Sequence, residues 1–173
     1  MLDSEPEAVL GPFSSPNARA TSWASALAVL GEAEVFWLST VRPDAGPHVT
    51  PLLAVWSLGG MCFTTGGQER KARNLERNPR CVLTTGTNAL TGVDVVIEGV
   101  AAVVDERSER EQAVADFERK YGAHLTNPAG SWYGLGDAVI AGDTRLYRVA
   151  PTVGFAFGKL PTSSQTRYTW PSR

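Results

Sequence analysis

The sequence has only two cysteines and two histidines in 173 residues. Cys62 and Cys81 sit in apolar runs, Met61-Cys62-Phe63 and Cys81-Val82-Leu83, with no Cys-x-x-Cys pair. His48 and His124 lie far apart, so neither zinc-ligand spacing nor a redox dithiol is expected. Both thiols read as reduced, buried small hydrophobes. No stretch of about 18 apolar residues occurs, which excludes a membrane-spanning helix from the expectation. Basic excess is also missing: the net charge is -2 and the pI about 5.7. That leaves no general electrostatic footprint for nucleic acid, so a bound phosphate must be held by a local cluster. The first residues are acidic and lack the charged-then-apolar order of a secretory signal, so a cytoplasmic protein is expected.

What is present is the composition of one soluble globular domain, 43% hydrophobic and 20% charged. Residues 1–19, with three prolines and little periodicity, read as a flexible N-terminal arm, residues 20–160 as the folded domain, and 161–173 as a tail. A helix is expected after Thr21 or Ser22, either of which suits an N-cap, running to Gly31 with Trp23, Leu27 and Leu30 on its core face. Apolar runs then follow at Ala33–Val41, Pro47–Trp56, Met61–Thr65, Arg80–Thr85, Val93–Val104, Leu146–Val149 and Val153–Phe157. They predict six or seven strands, a number suited to a small antiparallel barrel. Gly99, inside the longest run, reads as a bulge or a barrel bend. Two helices interrupt the strands, one over Glu69–Asn78 and one from Ser108, where Glu111 would complete a capping box. Residues 122–142 read as a long loop carrying Trp132 and Tyr133.

The stretch Thr64-Thr65-Gly66-Gly67-Gln68-Glu69-Arg70-Lys71-Ala72-Arg73 is chemically the most informative. A strand ends in two hydroxyls, two glycines permit a tight turn, and a helix opens with three cations. Backbone N–H groups, a helix N-terminus, hydroxyl donors and Arg and Lys side chains together suit a phosphate. The spacing is not that of a P-loop. On the residues alone, a solvated basic helix after a Gly-Gly turn remains the competing reading.

Pro47-His48-Val49-Thr50-Pro51-Leu52, then Phe63-Thr64-Thr65, Lys71-Ala72-Arg73-Asn74-Leu75 and Val96-Ile97-Glu98-Gly99-Val100-Ala101 together resemble the pyridoxamine 5'-phosphate oxidase-like FMN-binding split-barrel superfamily. The Lys-x-Arg-Asn-Leu version is most similar to its flavin/deazaflavin oxidoreductase branch, many of whose members use coenzyme F420. The resemblance spans roughly residues 20–157. It implies a mostly β, α+β fold: a six- to seven-stranded antiparallel split β-barrel with short flanking helices, homodimeric, with cofactor at the subunit interface. It also implies that Val49, Thr50, Pro51 and Leu52 run along the cofactor ring. Thr64, Thr65, Arg70 and Lys71 would then hold the phosphate. Arg73 could join them or pair with Glu69 or Glu76, and Trp132 could cover the partner's site or anchor its own loop.

The expected function is therefore an oxidoreductase, with coenzyme F420 as the first choice of cofactor and FMN the second. Hydride transfer to a small unsaturated or aromatic substrate needs proximity and orientation above all, so no side-chain catalyst is named. Partners beyond a second copy and the substrate, such as nucleic acid or a membrane, are not expected. A non-catalytic haem- or cofactor-binding split barrel is the competing class, with His48 or His124 as the available axial ligands. Trp56 could flank the cofactor or belong to the core. The C-terminal stretch, with Arg167, Tyr168 and Trp170, does not reproduce the segment with which pyridoxamine 5'-phosphate oxidases proper grip FMN and their substrate, so vitamin B6 oxidation is unsupported.

Overall fold

Ser22 starts the first helix: its hydroxyl accepts the Ser25 N–H, and α1 (Trp23–Glu32) turns Trp23, Ala26 and Leu30 inward. In the computed structural model, which describes residues 5–171, α1 follows a short strand β1 (Glu7–Leu10). Then come β2 (Phe36–Val41), β3 (Pro47–Leu52), β4 (Ala54–Ser57), β5 (Gly60–Thr65), α2 (Arg70–Arg77) and β6 (Arg80–Thr85). The chain continues through β7 (Val93–Val103), α3 (Arg107–Leu125), α4 (Leu135–Ala141), β8 (Arg145–Gly158) and β9 (Ser164–Thr169). Every paired strand is antiparallel.

The sheet runs β1-β9-β8-β7-β6-β2-β3, with β4 paired to β5 and β5 to β8. β8 makes this branching possible. Its first residues, Arg145–Val149, pair with β5, its last, Val153–Gly158, with β9, and β7 accompanies both halves. The sheet must bend where β8 changes partner, and the register shifts there between Glu98 and Gly99. A Cβ on Gly99 would stand 2.3 Å from the Ala150 carbonyl oxygen, so only glycine allows the two backbones to meet.

The barrel interior is filled by Phe36, Leu38, Phe63, Leu83, Ile97 and Tyr168, with Trp23 and Leu30 of α1 in the same cluster. A second cluster joins Val114, Phe117 and Tyr121 of α3 to Val55, Cys62 and Leu146. β5 is thus covered on both faces, Phe63 toward one cluster and Cys62 toward the other. This is why its sequence reads as a continuous apolar run rather than an alternating one. Burial pushes the thiols of both Cys62 and Cys81 up to about 12, so each is a neutral, packed group at neutral pH. No described helix is long and apolar enough to cross a membrane.

Several boundaries differ from the sequence expectation, each for a local reason. Residues 7–10, read as part of a flexible arm, form β1. All four are exposed, and the strand is held by its ladder to β9 rather than by core packing, so no hydrophobic pattern announces it. The tail likewise contains β9, whose Thr166 and Tyr168 are fully buried. The Pro47–Trp56 run is two strands, broken at Leu53, because β4 leaves β3 to pair with β5. Trp56 consequently packs against Trp23, ring centroids 5.0 Å apart, within the core aromatics. The expected Ser108–Glu111 box does not form: Glu106 is the N-cap of α3 and makes no side-chain capping bond. The loop over 122–142 holds the seven-residue α4, bracketed by Gly134 and Gly142 at φ of 79° and 90°.

Candidate functional site

The motif Lys71-Ala72-Arg73-Asn74-Leu75 does two jobs, divided by helical spacing. Ala72 and Leu75 are buried, and Asn74 donates from Nδ2 to Thr40 Oγ1 at 2.9 Å, so this face seats α2 on β2. Arg70 and Arg73 are on the exposed face. Thr40 in turn lies 3.4 Å from Nδ1 of His48, so His48 is tied into the strand pair rather than left on the surface. The helix is anchored, and the turn before it is fixed relative to the end of β5.

A cavity of about 500 Å³ opens beside that turn. One wall is apolar, from Pro51 and Leu52 of β3 together with Trp132 and Leu135. Its polar lining comes from Thr64, Thr65, Gly66 and Glu69. Five residues expected from the sequence, Pro51, Leu52, Thr64, Thr65 and Trp132, therefore line one space although they come from three separate parts of the chain. An apolar lining combined with hydroxyl and N–H donors suits a ring that carries an anionic group.

The other expected residues are placed differently. Val49 is 51% exposed and does not line the cavity. Thr50 alternates with it and does not line the cavity either; its hydroxyl oxygen is buried with no hydrogen-bond partner among the described residues. Arg70 is exposed and makes no ion pair among the described residues. Arg73 donates to Gln68 Oε1 at 2.9 Å, a partner not considered from the sequence. Lys71 does not line the cavity directly; its ammonium pairs with Glu69, which does.

Two residues at this turn escape a reading of the sequence alone. Glu69 accepts the Gly66 N–H at 2.9 Å on one carboxylate oxygen and the Lys71 ammonium on the other. The Lys71 hydrogen bond holds the Glu69 carboxyl below the usual carboxylate range. The second is Arg145, which stands opposite Thr65 in the β5–β8 register. A Cβ on Gly67 would meet its Nε at 2.9 Å, so Gly67 leaves room for the guanidinium, which also donates to Glu76 at 2.6 Å. An acidic residue inside a basic run was a visible signal for Glu69. Arg145 is 78 positions from Gly67, and only the topology brings them together.

A second cavity, about 490 Å³, lies between α1, β4 and α3, near Leu27, Trp56, Asp116 and Lys120. Its charges are already matched internally. Arg119 is paired with Asp116, and Lys120 donates to the carbonyls of Leu30 and Ala54 at 2.7 and 3.1 Å. Arg167, on β9, faces Val9 and Phe155 in register and lines neither space. Among the described residues no cluster of His, Cys, Asp and Glu could hold a metal ion.

A family model described as pyridoxamine 5'-phosphate oxidase matches residues 23–156. The chain belongs to the pyridoxamine 5'-phosphate oxidase family. Among solved structures, a conserved hypothetical protein from Mycobacterium tuberculosis has a TM-score of 0.67 at 21% identity, over 80% of this chain and 85% of that one. The haem storage protein HutZ from Vibrio cholerae has a TM-score of 0.60 at 22% identity, over 79% of this chain and 94% of that one. An F420 reductase has a TM-score of 0.55 at 22% identity, over 73% of this chain and 93% of that one. At these identities the likeness concerns the fold. Comparison with curated proteins gives no significant match.

The pyridoxamine 5'-phosphate oxidase family binds FMN, and the residues beside the turn fit such a group. Glu69 is itself a stand-in for an oxyanion: a backbone N–H and an ammonium already converge on its carboxylate.

Proposed function

We propose that this member of the pyridoxamine 5'-phosphate oxidase family is an oxidoreductase that holds coenzyme F420 in the cavity bounded by Pro51, Leu52 and Trp132. The phosphate would lie at Thr64, Thr65 and Gly66, with Lys71 as its counter-charge. The observation that carries this reading is the convergence of donors on an anion that lines a partly apolar cavity. Bound there, the cofactor supplies hydride chemistry for a small unsaturated or aromatic substrate. The chain's own contribution is orientation, with Pro51 and Leu52 against the ring and the turn against the phosphate. Coenzyme F420 is favoured because Arg70 and Arg73 extend positive charge along the exposed face of α2, where its anionic tail would emerge. FMN is the second reading. The internal pairs Glu69–Lys71 and Glu76–Arg145 reduce the net charge of the site, which favours the shorter and less anionic ligand.

The reading includes a homodimer. Among the described residues β3 pairs only with β2, as an edge strand. Its Val49 is 51% exposed, and on β2 the 50%-exposed Trp37 sits beside Pro51. An apolar edge of this kind is a liability unless another surface covers it, and a second copy would bury roughly 1,000 Å² or more in total. Sedimentation of the cofactor-loaded protein, recorded in the visible band of the cofactor, tests both claims together. Deazaflavin or flavin absorbance should travel with a species of about twice the 18.5 kDa chain mass. Cofactor travelling with a monomer would remove the dimer, and a Soret band on the purified protein would replace the oxidoreductase by a haem binder.

A further inference from the structure

Glu69 occupies the N-cap position of α2, yet its side chain makes no capping hydrogen bond to the helix. The carboxylate reaches back instead to the Gly66 N–H and sideways to the Lys71 ammonium. It lines the cavity together with Thr64, Thr65 and Gly66. Its side chain is 52% exposed, while that of Lys71 is only 12% exposed. The more exposed partner is thus the anion, which can turn toward solvent without uncovering a core. Arg70, next in sequence and exposed, makes no ion pair among the described residues and could receive the displaced carboxylate.

We propose that Glu69 is a resident competitor for the ligand phosphate, a carboxylate that fills the anion position and must swing out before a phosphate-bearing cofactor can bind. This rests on the reading of Thr64–Lys71 as the phosphate cradle. The chemistry follows from what the donors can satisfy. The Gly66 N–H and the Lys71 ammonium face one anion at a time, and a phosphate beside a seated carboxylate meets like charge rather than donors. Glu69 therefore lowers affinity for phosphorylated ligands specifically and leaves affinity for the same ring without a phosphate untouched. The same Lys71 hydrogen bond that seats the carboxylate also lowers the Glu69 carboxyl below its ordinary range.

The test uses cofactor-free protein and two probes, FMN and riboflavin, which share the ring and differ in the phosphate. Glu69→Gln retains an acceptor for the Gly66 N–H but releases Lys71 and removes the negative charge. It is expected to bind FMN roughly tenfold more tightly, about the effect of removing one adjacent like charge from a partly screened site, and riboflavin unchanged. Lys71→Ala, measured in parallel, is expected to weaken FMN binding. Unchanged or weaker FMN binding by Glu69→Gln, with Lys71→Ala still weakened, would overturn the competitor and keep the cradle. If neither substitution changes FMN binding, the cradle itself is wrong. Equal gains for FMN and riboflavin would also overturn the proposal, because they would place the Glu69 effect on the ring. Unfolding curves matching the wild type establish that each variant is folded.

Discussion

Replacing Lys71 by alanine is expected to raise the dissociation constant for FMN and for coenzyme F420 about ten- to hundredfold. The basis is the loss of a hydrogen bond to a charged group, about 1.5–3 kcal/mol, from a lysine whose side chain is mostly covered. Two consequences add in the same direction. The phosphate loses its counter-charge, and Glu69 remains on the Gly66 N–H without the cation that now balances it. Lys71→Glu should therefore be worse than Lys71→Ala, and both losses should shrink as salt is raised. The fold should be spared: alanine is the better helix former, and the Glu69–Lys71 pair, half exposed on the acid's side, contributes little to stability. Arg107→Ala serves as the control. Arg107 is a well-exposed residue in the first turn of α3, paired only with Glu111, and its loss should leave cofactor binding unchanged.

The second large effect is on stability. Phe63→Ala is expected to destabilise the fold by about 3–5 kcal/mol, the usual cost of truncating a buried aromatic. Phe63 is fully buried at the centre of β5, and its ring stacks on Tyr147 of β8 with centroids 5.4 Å apart and planes 6° from parallel. It stands directly before Thr64 and Thr65, so the residue that holds the barrel also positions the polar lining of the cavity. Urea unfolding at fixed protein concentration reads the loss, with concentration held because dimerisation would add to apparent stability. A cost below about 1 kcal/mol would mean that the neighbouring strands collapse onto the gap. In that case Thr64 would shift, and cofactor binding would fall instead.

Legibility in the sequence tracked how locally each feature is determined. β2, β5, β6 and β7 announce themselves through runs of β-favouring residues, and α1 through the Ser22 cap, because burial and capping act within a few positions. The Gly99 bulge was readable for the same reason: a glycine inside a long apolar strand must serve a close approach. β1 was not, since four exposed residues held by a backbone ladder carry no side-chain pattern. β9 was obscured by its polar composition, although Thr166 and Tyr168 do alternate toward the core.

The site divides along the same line. Thr64, Thr65 and Gly66 are contiguous and could be found as a unit. Their meeting with Trp132 depends on the chain path through α3 and the turn that follows it. Arg145 depends wholly on the β5–β8 register. Glu69 was visible but weighed only as a partner for Arg73; a rotamer, not a spacing, decides that it turns to Gly66 and Lys71.

Amide chemical-shift mapping of the isotopically labelled protein during titration with coenzyme F420, repeated with FMN, tests the location of the site most directly. The largest changes are expected at the backbone amides of Leu52, Thr64, Thr65 and Gly66 and at the Trp132 indole, with α2 affected next through Lys71. Changes centred instead on Leu27, Trp56 and Lys120, with Gly66 unmoved, would put the cofactor in the other cavity and contradict the assignment of the cradle.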